Sequence, residues 1–136
     1  MNTYNVESIR SLAPGHTNAG RIDAINLETG ETLWTWETEP ATYSPTMITG
    51  GGLLFTGGLD RWFRAIDQET GSELWKVRLG SQAQGHSISY AVDGRQYIAV
   101  PAGGGGGVAN LVATPGNWDA NTGSNMIYVF ALPEAN

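Results

Sequence analysis

The chain writes one phrase twice. Residues 23–34 read DAINLETGETLW, and 41 residues later positions 64–75 read RAIDQETGSELW. Aligned, Ala24 falls on Ala65, Ile25 on Ile66 and Asn26 on Asp67. Glu28-Thr29-Gly30 falls on Glu69-Thr70-Gly71, and Leu33-Trp34 on Leu74-Trp75. A period of 41 residues is the length of one four-stranded propeller blade.

Local patterning supports the same unit. RIDAIN and WFRAID alternate, with Ile22 and Ala24, or Phe63 and Ala65, on one face. LETG and QETG are polar turns whose glycine can take a positive φ. Between the copies, ATYSPTMIT and LLFTGG flank a glycine turn. One complete blade is therefore expected over 41–80, with strands near 42–49, 53–57, 61–67 and 73–79. Residues 1–40 form a partial blade, and 81–136 a last blade without its fourth strand. In that last blade HSISYAV and RQYIAVPA flank Asp93-Gly94, a strong hairpin signal. MIYVFALP follows late: Ala65 and its counterpart Val129 are 64 residues apart rather than 41. The surplus lies in a glycine-rich insertion, 103–125. The reading is all-β.

Composition agrees. The chain has 19 Gly, 6 Pro, five Trp and five Tyr, residues of turns and half-buried pleated surfaces. Seven basic against thirteen acidic residues give a net charge of −6, which argues against a nucleic-acid partner. No apolar run approaches a membrane span, and the N-terminus lacks a secretion-signal pattern. With no cysteine, disulfides and thiol chemistry are excluded. Gly103–Gly107 is followed by no Lys and no helical pattern, so it is not read as a phosphate loop. His16 and His86 stand apart and give no metal signature.

Trp34 and Trp75 are expected to wedge between neighbouring sheets and to place their N–H on a backbone carbonyl. Gly30 and Gly71 allow close approach, and Ala24 and Ala65 leave room for a ring. Blades of this kind bury their faces by closing into a ring, so the chain is expected to need further blades.

The repeat AIDQETGSELW resembles the tryptophan-docking motif of quinoprotein dehydrogenases, eight-bladed propellers that bind pyrroloquinoline quinone (PQQ). The order TGGGLLFTGGLDRWFRAIDQETGSELW, ISYAVDGRQYIAVPAGGGGG and MIYVFALP is similar to the C-terminal end of that family, over residues 20–133. The resemblance implies oxidation of alcohols, or of related aldehydes or sugars, with a calcium or lanthanide ion as Lewis acid. It implies a periplasmic setting, an electron acceptor, and a ring completed by the remainder of the propeller. The family's catalytic Asp and metal ligands fall upstream of the matching region, so no catalytic residue or metal ligand is assigned here.

Three cofactor-facing places carry over. Tyr43 stands where the family has a Trp beneath the quinone; it is either a stacking surface or an ordinary strand tyrosine. Gly104, between Gly103 and Gly105, stands where the family's S-G-W-G-G has its Trp. His86 begins the last inner strand and is either a contact to cofactor or substrate, or a structural residue. Two alternatives use the same repeat without a cofactor: a binding or assembly propeller, and a ring of several short copies of this chain.

Overall fold

The structure, a computed structural model, describes residues 12–104 and 124–132. Nine strands occupy these residues, in three antiparallel sheets with no helix among them. The first sheet pairs β1 (Gly20–Ile25) with β2 (Thr32–Thr38). The second runs in order β3 (Met47–Ile48), β4 (Leu53–Gly57), β5 (Trp62–Asp67) and β6 (Glu73–Arg78). The third comprises β7 (Ile88–Val92), β8 (Arg95–Ala102) and β9 (Met126–Ala131). Each sheet is a simple meander.

The two copies of the repeat fold alike. Asn26 Oδ1 accepts the Glu28 and Thr29 amides at 2.9 and 3.2 Å. Asp67 Oδ1 accepts those of Glu69 and Thr70 at 2.9 and 2.8 Å. The Asn-for-Asp exchange therefore keeps the turn, because both residues offer an acceptor oxygen on a short stem. Gly30 and Gly71 close the turns with φ of 74° and 72°. After each turn the ladder slips by one residue. Ala24 opposes Trp34 while Ile25 opposes Thr32, and Ala65 opposes Trp75 while Ile66 opposes Glu73. Leu33 and Leu74 are the extra residues, and both are exposed. This bulge sets the direction of the Trp that follows.

Two strands are shorter than the sequence patterns indicate. Of the expected 42–49, only Met47–Ile48 pairs as a strand, with an isolated bridge between Thr42 and Gly58. The cause lies in Ser44 and Pro45. The Tyr43 and Ser44 amides both donate to the Gly57 carbonyl, at 2.9 and 3.1 Å, and Ser44 Oγ accepts from Gly57 N–H at 2.7 Å. Pro45 has no N–H to continue the ladder. In the third sheet, β7 begins at Ile88, so His86 precedes the strand rather than starting it.

The core lies between the second and third sheets. Phe55, Phe63, Ala65 and Leu79 meet Ile98, Val100 and Ala102, with Phe63 and Val100 fully buried. Phe130 stacks against Phe63 at 6.0 Å and takes the edge of Trp75 at 5.4 Å. Tyr128 adds a polar tie, accepting the Gly80 amide at 2.9 Å.

Between the first and second sheets, Trp34 Nε1 donates to the Gln68 carbonyl at 3.0 Å. Its ring lies over Gly71, where a Cβ would sit 2.8 Å from Trp34 Cδ2. Trp36 covers the Arg64 guanidinium at 5.5 Å. Arg64 is only 5% exposed; it pairs with Asp60 and, at 3.1 Å, with Glu73.

The register places Ile88, Ala99 and Val129 side by side on the third sheet, on the face away from Phe63. Val129 matches Ala65 of the repeat, whose face is covered. Here Ile88, Ile127 and Val129 are 57%, 73% and 50% exposed.

Candidate functional site

The candidate residues named from the sequence gather at one edge of the sheets. The antiparallel ladders bring the segments 39–46, 58–61 and 79–87 to the same edge as the end of β8 and the start of β9. The bridges Thr42–Gly58 and Ala83–Ala102 mark it in the second and third sheets. Tyr43, His86, Gly103 and Gly104 all lie there; Gly105 is outside the described residues.

They do not form one pocket. An open hollow of about 370 Å³ is lined by Gln84, Pro101, Gly103, Gly104, Asn125 and Met126, among others. Tyr43, half-buried and held by its amide on Gly57, is not in its wall, and neither is the exposed His86. The two glycines are tightly dressed. Gly103 N–H donates to the Gln82 carbonyl at 3.0 Å, and Gly104 N–H to Asn125 Oδ1 at 3.1 Å. Gly104 has φ of 117°, and a Cβ there would collide with Gln84 Oε1 and stand 3.1 Å from Gln82 Nε2. The place of a side chain at this position is thus taken by amides.

Gln82, Gln84 and Asn125 were not among the residues read from the sequence as candidates. The signal was SQAQG, two amides at i and i+2, which extended backbone sends to the same side. Gln82 is 3% exposed, yet its Oε1 finds no hydrogen-bond partner. Buried amide oxygens are ordinarily paired, so this one is notable. Among the described residues no three His, Cys, Asp or Glu side chains converge as a metal site would require.

The sheet edge offers hydrogen-bonding amides over a mostly apolar wall, with no formal charge on the lining residues. The architecture is that of β-propeller blades, and comparison with known proteins agrees. The sequence profile "PQQ: Glucose/ethanol/alcohol dehydrogenase, beta-propeller domain" matches residues 40–98. Methanol dehydrogenase [cytochrome c] subunit 1 of Paracoccus denitrificans is 42% identical over 88 residues, 65% of this chain and 14% of that protein. The lanthanide-dependent methanol dehydrogenase of Methylacidiphilum fumariolicum is 36% identical over 111 residues, 78% of this chain and 18% of that protein. The solved structure of a europium-containing methanol dehydrogenase superposes with a TM-score of 0.72 at 29% identity, covering 87% of this chain and 24% of that one.

The chain is a homologue of the quinoprotein methanol and alcohol dehydrogenases and carries their propeller repeat. It spans less than a fifth of the length of the two curated relatives named.

Proposed function

We propose that this chain supplies the last blades of a PQQ-dependent dehydrogenase propeller acting on alcohols, or on related aldehydes or sugars, in the periplasm. The carrying observation is the hollow at Gly103–Gly104, where backbone and amide groups meet an apolar wall at the edge that also holds Tyr43 and His86. The bulk of the quinone, its calcium or lanthanide ion and the catalytic base belong to sheets beyond these. When bound, the quinone supplies the oxidising chemistry; this chain contributes wall and ring closure.

The covering of the third sheet supports the ring-completion part of the reading. Its exposed face, with Ile88, Ile127 and Val129, matches by register the second-sheet face that the third sheet itself covers. A further blade is its natural neighbour. In the same way Trp34 and Trp75, with Ala24, Ala65, Gly30 and Gly71, act as docking residues between blades. No nucleic acid or membrane span enters this reading.

Gly104 favours a second reading. Its φ of 117° strains the aromatic residue of the family's motif, and Tyr43 does not line the hollow. A propeller that binds or assembles without a quinone is consistent with both facts. One experiment separates them: PQQ with calcium or a lanthanide is added to the full assembly, in which this chain is joined to the blades that complete the ring. Bound-quinone absorbance and dye-linked alcohol oxidation support the dehydrogenase. Absence of bound quinone supports the non-catalytic propeller.

A further inference from the structure

The chain has two open sheet faces, and they differ in kind. On the first sheet Trp36 faces the second sheet, so Arg21, Asp23 and Ile25, with Thr35 and Glu37 opposite them, lie on the other side. That side is hydrogen-bonded. Arg21 Nε donates to Asp23 at 2.9 Å, Thr35 Oγ1 to the same carboxylate at 2.6 Å, and Asn18 Nδ2 to Glu37 at 3.1 Å. The open face of the third sheet, around Ile88, Ile127 and Val129, is apolar.

Where the first two sheets meet, indoles join a charged face to an apolar one. Trp36 covers the Arg64 guanidinium, and Trp34 Nε1 donates to the Gln68 carbonyl with its ring over Gly71. The first sheet carries the same turn, and it stands empty. Leu27, the counterpart of Gln68, is 98% exposed, and a Cβ on Gly30, the counterpart of Gly71, meets nothing within 4 Å. The three described strands of the third sheet carry no tryptophan. Its rings on the open face, Tyr90 and Tyr97, stack on each other on β7 and β8, whereas Trp34 and Trp36 reach their neighbour from the last strand of a sheet.

We infer that the open face of the first sheet docks a blade unlike this chain's third sheet, one that brings an indole to the Leu27–Gly30 turn and an aromatic cover to the Arg21–Asp23 pair. A second copy of this chain does not meet it head to tail. The third sheet brings no last-strand indole to the turn, and it would set Ile127 and Val129 against charged groups that lose water without replacement. The inference rests on the ring-completion part of the reading above and holds with or without a quinone. It excludes a ring of identical copies.

Two measurements test it. The chain has no cysteine, so single introduced cysteines report contacts without interference. Phe63 stacks on Phe130 at 6.0 Å, and their counterparts on the two open faces are Ile127 and Ile25. Copies bearing Ile25→Cys and Ile127→Cys are mixed under a mild oxidant. They are expected to form no more mixed disulfide than a control pair of Ile127→Cys with Glu69→Cys on an exposed turn. A severalfold excess would show copies head to tail and overturn the inference. The second measurement compares Gly30→Ala with Gly71→Ala by unfolding midpoint. In the chain alone Gly30→Ala is expected to lower it less. In the full assembly, in which this chain is joined to the blades that complete the ring, the two are expected to lower it equally, because an indole then stands on each glycine. A difference that persists there sinks the docking face and leaves the ring reading standing. If the chain enters no assembly, that reading falls and the docking face falls with it.

Discussion

Two glycines at the same place in the repeat do different work. Gly30 and Gly71 share a left-handed φ, but a Cβ on Gly30 meets nothing within 4 Å, whereas on Gly71 it meets the Trp34 ring at 2.8 Å. Gly30→Ala is therefore expected to cost about 1 kcal/mol of backbone strain. Gly71→Ala should cost more, about 2–3 kcal/mol, since the ring must also move; urea denaturation of both variants compares them. Asp67 carries a second expectation. The backbone amide of Thr70, then its hydroxyl, hold the Asp67 carboxylate below the usual range, with Glu69 N–H assisting. A lowered folded pKa adds stability that is fully present above the unfolded value and is lost as pH falls through the folded one. Acid titration of the unfolding midpoint should thus show a loss below about pH 4 that Asp67→Asn reduces, the remainder coming from groups such as Asp23, which Arg21 and Thr35 also hold low; Asn26 makes the same turn without a charge.

At the scale of elements, the sequence showed the hairpins well because alternation and turn chemistry are local. β8 runs over Arg95–Ala102, the span of RQYIAVPA. The inner strand of the second sheet was less legible. Its pattern alternates through Ser44 and Pro45, but both neighbouring amides are drawn to one carbonyl, a non-local competition that periodicity does not report. The doubled Leu-Trp gives no sign of which residue faces inward. Only the pairing shows that Leu33 and Leu74 are bulge residues facing solvent. Arg64 was equally hidden, since a charge in a strand ordinarily marks the solvent face. Between two sheets it is buried among Asp60, Glu73 and Trp36. Arg64→Ala is expected to destabilise by about 3–5 kcal/mol, because the buried Asp60 carboxylate loses its partner while Glu73 keeps only Lys76 at 2.7 Å, and Arg64→Lys to restore part of this. Thermal unfolding of the two variants tests it.

For the whole molecule, the repeat revealed the sheets, but it could not reveal the hollow. That space is made by the end of β8, the start of β9 and Gln84, brought together only when the third sheet forms. The apolar face around Ile127 and Val129 has a consequence for association. In sedimentation the chain alone is expected to self-associate or to be captured by further blades rather than to run as a 14.5 kDa monomer. Val129→Lys should shift the distribution toward smaller species without altering the Phe63–Phe130 core on the opposite face. A monodisperse monomer of the unmodified chain would count against the ring.

The backbone at Gly104 also sets an order on change. At a φ of 117° any side chain there is strained whatever the space around it, while the atom nearest a Cβ, Gln84 Oε1, is the end of a side chain that can swing aside. Gly104→Trp is therefore expected to lower the unfolding midpoint whether or not Gln84 is shortened. Routes between an amide-lined and an aromatic-lined channel pass through the backbone conformation at position 104 first.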